Sequence, residues 1–222
     1  MEETERQHIF WSFRRCPFAM RARLAVCSAG IRVELREILL RDKPAAFLRV
    51  SSKATVPVLE LEDGRTIEES RDIMFWALER GDPHGWLDPW HRHPDRVRQF
   101  LDHLDGPFKH HLDRYKYASR YDAAAEVTHR REGADFLARL DQDLRRGAAL
   151  SGARLGLLDF ACLPFVRQFR IADPGWFDRQ PWPHLHRWLA AFLDSALFAA
   201  VMSKYQAWTG ASAPITFPAP QP

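Results

Sequence analysis

The sequence predicts a small α/β domain followed by an all-helical domain. Up to about Leu87 the apolar residues alternate between strand and helix periods, and beyond that point no convincing strand appears. A stretch rich in glycine and proline separates the two parts, as expected of a linker. A chain of 222 residues can form one large or two small domains. We place the α/β domain at residues 1–82, the linker at 83–91 and the helical domain at 92–222.

The first domain follows the order β-α-β-α-β-β-α. Asp63-Gly64 is a strong two-residue hairpin turn, Gly30 is a plausible helix C-cap, and Ser70 is a good N-cap. This order predicts a mixed four-stranded sheet with helices on its faces. Strands are predicted at 9–13, 33–38, 58–62 and 65–68, and helices at 17–29, 43–50 and 70–80.

The second domain carries apolar residues at helical spacing throughout. Leu157–Ile171 is strongly apolar and is predicted to be the central helix. The tail after Gly210 contains four prolines and is expected to wrap the surface or fray. The other predicted helices are 94–117, 121–146, 183–192 and 196–205.

Composition narrows the classes of function. With 46% hydrophobic and 27% charged residues, the chain has the composition of a soluble globular protein. The net charge is only +3, and the sequence has no concentrated basic stripe of the kind that nucleic-acid-binding proteins carry. A small anionic ligand needs only a few positive charges. Met1–Arg6 is charged without an apolar signal segment, and no apolar run approaches the roughly 18 residues of a membrane span. Three widely spaced cysteines predict free thiols and a cytoplasmic location.

Cys16 is the first candidate catalytic residue. It lies between a predicted strand and a predicted helix, and Pro17 favours the first helical position, which makes Cys16 the N-cap. The unpaired N–H groups and positive dipole end there favour the reactive thiolate, and Arg14, Arg15 and Arg21 add positive charge. The alternative is an inert cysteine buried in the core.

Two further motifs have both a structural and a functional interpretation. A cis Val56-Pro57 bond would turn the Val56 backbone outward to pair with an extended peptide, but an ordinary trans proline at a strand start is the commoner case. Glu69 and Ser70 could hold the ammonium and carboxylate of an α-amino acid head group, but helix capping by Ser70 explains the serine equally well.

Together these segments resemble the glutathione transferase superfamily, over nearly the whole chain. The segment Ser12–Leu24 is similar to the active site of its cysteine-type, omega-like members. The helix beginning Leu157-Leu158-Asp159 is similar to the one that carries the superfamily's buried aspartate. The segments similar to its glutathione-binding parts are Leu40–Pro44, Thr55–Leu59 and Ile67–Ile73.

The resemblance implies a thioredoxin-like first domain with Pro57 in the cis form. Cys16 would form a mixed disulfide with glutathione or lie beside its sulfur. Val56 would pair with its cysteinyl backbone, and Lys43 would reach its glycyl carboxylate. Glu69 and Ser70 would hold the γ-glutamyl head. The implied activity is glutathione-dependent thiol transfer, including reduction of dehydroascorbate and removal of glutathione from adducts, by a homodimer. The implied partners are glutathione and a small electrophilic or disulfide substrate, with no nucleic acid and no membrane.

The resemblance leaves two other functions open. One is conjugation of glutathione to hydrophobic electrophiles, and the other is a binding protein that has lost catalysis. Phe18, Phe108, Tyr115 and Trp208 are candidates for a second-substrate cleft, with core packing as the alternative.

The ten histidines show no recognised metal motif, and we predict no metal site.

The sequence departs from the superfamily pattern at two positions. Gly156 stands where a serine or threonine commonly caps the helix of the buried aspartate, so Asp159 is expected to order that loop alone. Ala19 stands where glutaredoxin-like relatives have a second cysteine, so a monothiol route with a second glutathione is required. Cys27 lies about three helical turns from Cys16, too far to form a disulfide with it, and Cys27 and Cys162 are expected in the core.

Overall fold

The computed structural model describes residues 7–219. Met1–Arg6, to which the prediction about a signal segment refers, and the prolines 220 and 222 of the tail lie outside the described residues. The chain divides into two compact units. The first comprises the N-terminal part to Pro83 together with the segment from Ala196 onward, and the second comprises His84–Ser195.

The first unit contains a mixed sheet with the strand order β4-β3-β1-β2-β5. Strand β1 pairs in parallel with β2 and antiparallel with β3, and the β3–β4 hairpin turns through Gly64, whose φ of +85° suits glycine. The strands are β1 (Ile9–Ser12), β2 (Val33–Glu37), β3 (Val58–Glu60), β4 (Thr66–Ile67) and β5 (Thr216–Phe217).

Helices α1 (Pro17–Ser28), α2 (Ala45–Val50) and α3 (Ser70–Leu78) complete the β-α-β-α-β-β-α order that the sequence predicts. Alternation in β2 buries Val33, Leu35 and Glu37, while the residues between them are half-buried. The thioredoxin-like α/β arrangement with a helical second part is therefore confirmed, with one more strand than the four predicted.

The fifth strand comes from the C-terminal segment, which the sequence analysis assigns to the helical domain. Helix α11 (Ala196–Val201) packs on α1, and β5 pairs antiparallel with β2. Phe217 is fully buried there, so this part of the tail neither frays nor only wraps the surface. The apolar pair Ile215 and Phe217 supplies an edge of the sheet that the proline-rich composition of the tail does not predict.

The second unit is helical. Its helices are α4 (Asp88–Arg92), α5 (Pro94–His103), α6 (Lys109–Lys116), α7 (Glu126–Arg146), α8 (Leu157–Ala172), α9 (Pro174–Asp178) and α10 (Pro183–Leu193). The predicted helix 94–117 is interrupted by a π-helical turn at Leu104–Phe108, because Pro107 has no N–H to continue the α-helical ladder. Most of α8 is buried, as predicted for the central helix. Among the described residues, no helix is both long enough and apolar enough to cross a membrane.

Candidate active site

Cys16 occupies the N-cap of α1, with Pro17 at the first helical position, as the sequence predicts. The Cys16 N–H donates to Phe13 O at 2.9 Å, and the Cys16 carbonyl accepts from Met20 N–H at 2.9 Å. These two bonds fix the turn from which the helix starts. The thiol is half-buried, and Sγ lies 3.7 Å from the carbonyl oxygen of Val56. Its position at the helix N-terminus favours the thiolate over the thiol.

A buried ion pair holds the loop that carries Cys16. Glu37, at the end of β2, accepts from the Arg14 backbone N–H at 2.7 Å and also pairs with Arg23. Arg23 is fully buried and donates to Ser12 Oγ at 2.8 Å and to Val201 O at 3.1 Å. Burial lowers the pKa of Arg23, although Glu37 opposes that shift. One guanidinium thus joins α1, the end of β1, β2 and α11.

The structure identifies contacts for the three arginines that the sequence analysis groups around Cys16. Arg14 Nη1 donates to Met202 O at 3.2 Å, and Arg15 lies over the ring of Phe13 at 5.3 Å. Arg21 is buried and donates from Nε to Ser70 Oγ at 3.0 Å. Arg14 therefore connects the loop before α1 to the C-terminal segment, and Arg21 connects α1 to α3.

A cavity of about 350 Å³ opens beside the Cys16 sulfur in the first unit. This volume lies within the range of about 300–1,000 Å³ typical of small-molecule sites. All the predicted glutathione-binding residues line it, together with Cys16 and Phe18: Lys43, Val56, Pro57, Glu69 and Ser70. The remaining lining residues are Leu40, Ala54, Thr55 and Glu68.

The Val56–Pro57 peptide bond is cis, as the family resemblance implies. Val56 is largely buried, and its N–H donates no hydrogen bond within residues 7–219. A backbone N–H in such a place needs a partner, since an unpaired buried donor costs about 1–3 kcal/mol. The Val56 N–H is thus available to a ligand in the cavity.

The prediction that Ser70 is the N-cap of α3 is wrong by one residue. Glu69 takes that position, with extended backbone angles, and Ser70 is the first helical residue. The difference arises because the Ser70 hydroxyl accepts from buried Arg21 and is drawn inward, with 2% of the residue exposed. A hydroxyl has two acceptor sites and one proton, so Ser70 can still donate to an anion.

Glu68 and Lys53 are two site residues that the sequence analysis missed. Glu68 accepts hydrogen bonds from Ser51 Oγ at 3.1 Å, Ser52 Oγ at 2.9 Å and the Lys53 N–H at 3.4 Å. Burial acts to raise the pKa of Glu68, but these bonds outweigh it and hold the pKa below its ordinary value. Glu68 thereby orders the loop that leads into Val56. The sequence signal for this role of Glu68 was the pair of adjacent hydroxyl residues, Ser51 and Ser52, which can donate to a carboxylate.

The Lys53 ammonium pairs with the exposed Glu69 carboxylate, which raises the pKa of Lys53 through a hydrogen bond and through opposite charge. Lys43 is half-buried, lines the cavity and forms no ion pair within the part of the chain that the structure describes. The cavity therefore offers the Lys43 ammonium, the carboxylates of Glu68 and Glu69, and the start of α3.

Two of the four residues predicted for a second-substrate cleft are core residues. Phe108 and Tyr115 are 1% and 3% exposed, because both pack against Phe169 inside the helical unit. Burial raises the pKa of Tyr115, as expected of a residue removed from water. The prediction of a cleft role for these two side chains is wrong.

Phe18 and Trp208 lie in the first unit. Phe18 lines the cavity, whereas Trp208 stacks edge-on against Trp11 with 5.0 Å between ring centroids. Arg36 lies over the Trp208 ring at 4.7 Å, and the Trp208 N–H donates to Glu37 O at 2.7 Å. Trp208 and Cys16 are both partly buried against one apolar cluster, formed by Trp11, Ile38, Phe47, Val56 and Val58.

Asp159 is fully buried at the start of α8, in the position that the resemblance implies. Its Oδ1 accepts from Leu150 N–H at 2.8 Å and Trp188 Nε1–H at 2.9 Å, and its Oδ2 accepts from Ser151 N–H and Gly156 N–H, both at 3.0 Å. Contrary to the prediction, Asp159 does not order this loop alone. Ser151 Oγ accepts from Leu158 N–H at 3.2 Å and so supplies the cap that Gly156 lacks.

The space around Gly156 explains that exchange. A Cβ atom there would lie 3.0 Å from both Cβ and Oγ of Ser151. The Ser151 side chain thus occupies the place of a serine or threonine N-cap.

The other two cysteines differ from Cys16 in their surroundings. Cys162 is fully buried in α8, as predicted. Cys27 is half-buried near the end of α1, and burial raises the pKa of its thiol, which opposes reactivity. Among the described residues all three cysteines are free of disulfides, so Cys16 is the candidate nucleophile.

Family models match most of the chain. The model of the glutathione S-transferase N-terminal domain matches residues 10–84, and that of the C-terminal domain matches residues 86–191. The chain belongs to the glutathione S-transferase family. Among curated proteins, it is 42% identical over 60 residues to glutathione S-transferase omega-1 of Sus scrofa and 40% identical over 60 residues to that of Mus musculus. Each match covers 27% of this chain and only 25% of the relative.

Solved structures of glutathione S-transferases share the fold. The enzyme from Methylobacillus flagellatus KT, solved with glutathione bound, has a TM-score of 0.77 at 21% identity, covering 87% of this chain and 98% of that one. The Tau class enzyme from mango has a TM-score of 0.74 at 22% identity, covering 90% of this chain and 94% of that one. At these identities the likeness concerns the fold alone.

Proposed function

We propose that this glutathione S-transferase binds glutathione in the cavity beside Cys16 and acts as a glutathione-dependent thiol transferase through that cysteine. One observation carries the proposal. A single cavity brings a cysteine at a helix N-terminus together with an unpaired lysine, an available backbone N–H and a buried serine hydroxyl.

The lining residues complement the tripeptide along its length. Glutathione has two carboxylates and one ammonium, so it carries a net negative charge. Lys43 would hold the glycyl carboxylate, and the Val56 backbone would pair with the cysteinyl residue. The Ser70 hydroxyl and the first N–H groups of α3 would hold the γ-glutamyl carboxylate, with the ammonium on Glu69. Lys53 must then release Glu69 or shift along it, an exposed contact that costs little to break.

The proposed reaction is two successive thiol–disulfide exchanges. The Cys16 thiolate attacks the glutathionyl sulfur of a mixed disulfide, forming a Cys16–glutathione disulfide and releasing the other thiol as its thiolate, which takes up a proton. A second glutathione thiolate attacks the glutathione sulfur bound to Cys16, so that oxidised glutathione leaves and the Cys16 thiolate is restored. Reduced glutathione is the electron donor. Ala19 at the position three residues after Cys16 requires this monothiol route.

The partial match to omega-1 enzymes supports the cysteine-type assignment, and the fold neighbour with bound glutathione supports the choice of ligand. Dehydroascorbate and glutathione adducts of carbonyl or aryl compounds are proposed as further substrates of the same thiolate. We also propose a cytoplasmic homodimer, for which light scattering coupled to size-exclusion chromatography is the direct measurement.

The test compares Cys16→Ser with Cys27→Ser on a glutathionylated peptide. We expect Cys16→Ser to lose the thiol-transferase turnover and Cys27→Ser to keep it, because Cys27 is held as a thiol away from the cavity. Full turnover by Cys16→Ser would refute the mechanism. Retention on a glutathione matrix separates catalysis from binding. A chain that is retained but transfers no thiol is a binding protein, and one that conjugates electrophiles equally well after Cys16→Ala is a conjugating enzyme.

A further inference from the structure

Three histidines of the helical unit form a compact cluster with no part in the proposed reaction. His110 and His111 lie on α6, and His129 lies one turn into α7. Their ring centroids are 5.1, 5.2 and 5.7 Å apart in pairs, and one candidate ligand nitrogen from each lies within 4.8 Å of the other two. No sequence motif predicts the cluster, because His129 is distant in sequence from His110 and His111.

The closest pair of nitrogens is separated by nearly the distance expected for two ligands of one metal ion. His111 Nδ1 and His129 Nδ1 are 3.0 Å apart. Two nitrogens bound to one tetrahedral Zn²⁺ at the usual bond length are about 3.3 Å apart. In the metal-free protein the two rings share one proton in an N–H···N bond. A metal ion replaces that bond when the donating ring shifts its proton to Nε2, so no net proton is released.

His110 is the exposed member, and its Nδ1 lies 3.0 Å from Arg114 Nη1. Because a guanidinium only donates, His110 Nδ1 accepts this bond, and Arg114 competes with a metal ion for that nitrogen. Arg114 also lies over the ring of Tyr121 at 4.9 Å, so it keeps a contact when it releases His110. The candidate ligand nitrogen of His110 lies within 4.8 Å of those of His111 and His129, and it must move closer to bind the same ion.

The charge around the cluster is mixed. Burial and the neighbouring Arg114 and His129 lower the pKa of His110, and burial and the other two histidines lower the pKa of His111. Glu132, three residues after His129 and therefore on the same side of α7, acts in the opposite direction on His111 and supplies a nearby negative charge.

We propose that His110, His111 and His129 form a binding site for one divalent transition-metal ion, of which Zn²⁺ is the probe. Imidazole nitrogens select such ions over Mg²⁺ and Ca²⁺, which require oxygen ligands. Three imidazoles leave a fourth position open to water. The proposed site uses none of the residues proposed to bind glutathione, and the proposal departs from the prediction that the chain has no metal site.

The test is calorimetric titration of the chelator-treated full chain with ZnCl₂. The titration uses a Cys16→Ser background, so that the reactive thiolate does not bind the ion. We expect one ion per chain, no saturable binding of MgCl₂ or CaCl₂, and an affinity that falls at least about tenfold in His129→Ala. His110→Ala, at an exposed position that the fold tolerates, should show a loss of the same order.

Two further variants sharpen the test. The double variant His91→Ala/His93→Ala removes two exposed histidines that do not belong to the cluster and should leave the affinity unchanged. Arg114→Gln removes the competing cation and should tighten binding, the opposite of a merely structural effect. The proposal is overturned if the parent binds no Zn²⁺, if His110→Ala and His129→Ala bind as well as the parent, or if the His91/His93 variant loses as much affinity.

Discussion

Replacing Asp159 by asparagine tests the packing of the helical unit most sharply. The two side chains have the same shape, and the asparagine keeps one oxygen for Leu150 and Trp188. The amide nitrogen that replaces Oδ2, however, faces the N–H groups of Ser151 and Gly156, each 3.0 Å from the oxygen it replaces. Two hydrogen bonds to a charged acceptor become two donor–donor contacts.

The expected cost follows from those two bonds. A hydrogen bond to a charged group contributes about 1.5–3 kcal/mol, so the loss is about 3–6 kcal/mol. The free energy of unfolding of a domain is about 5–15 kcal/mol in total, so this loss is a large fraction of its stability. In a chain of this size each kcal/mol shifts the melting temperature by about 2–4 °C, so the melting temperature should fall by roughly 6–24 °C. Urea denaturation followed by tryptophan fluorescence measures the free energy, and calorimetry measures the melting temperature.

Asp141→Asn is the matched control. Asp141 also caps a helix, but both of its bonds, from His184 N–H at 2.8 Å and Leu185 N–H at 2.9 Å, go to one oxygen. The asparagine oxygen can accept both, and the cost should stay below about 1 kcal/mol. If Asp159→Asn were as mild as this control, the account of the buried aspartate would be refuted.

Three further perturbations test single contacts, one in the helical unit and two at the cavity. Ser151→Ala removes the cap on the Leu158 N–H and should cost about 1 kcal/mol in urea denaturation. Hydrogen bonds lower the pKa of Glu68, so its contribution to stability is full above the unfolded pKa near 4.3 and is lost as pH falls through the lower folded value. The stability gap between wild type and Glu68→Gln should therefore shrink between about pH 6 and about pH 3, and a constant gap would contradict this. Lys43→Ala should weaken glutathione binding about tenfold by calorimetry, whereas Arg41→Ala, at an exposed position outside the cavity, should not.

Part of the candidate site could be predicted from local sequence signals, and the rest from the family resemblance. Pro17 fixes the start of α1 and therefore the N-cap position of Cys16. The order of strands and helices then brings Val56 and the start of α3 to the same cavity. The N-cap position of Cys16 depends on short-range cap chemistry, which a sequence displays directly. The cis Pro57 and the cavity roles of Val56 and Glu69 were predicted from the family resemblance.

The features that were missed depend on long-range pairing. The predicted cap position of Ser70 is one residue out because the Arg21 side chain that binds it is distant in sequence. Phe108 and Tyr115 have the composition of cleft residues, but tertiary packing against Phe169 buries them. The fifth strand forms only because β2 offers an edge to the tail. Hydrophobic pattern alone does not distinguish these outcomes.

Mapping of the covalent intermediate tests the central claim most directly. The protein is incubated with oxidised glutathione, quenched with acid, digested, and examined by mass spectrometry for the glutathionyl group. We predict that the group is found on the peptide containing Cys16, not on those containing Cys27 or Cys162, and that reduced glutathione removes it. A glutathionyl group confined to Cys27, or none on Cys16, would contradict the assignment of Cys16 as the nucleophile.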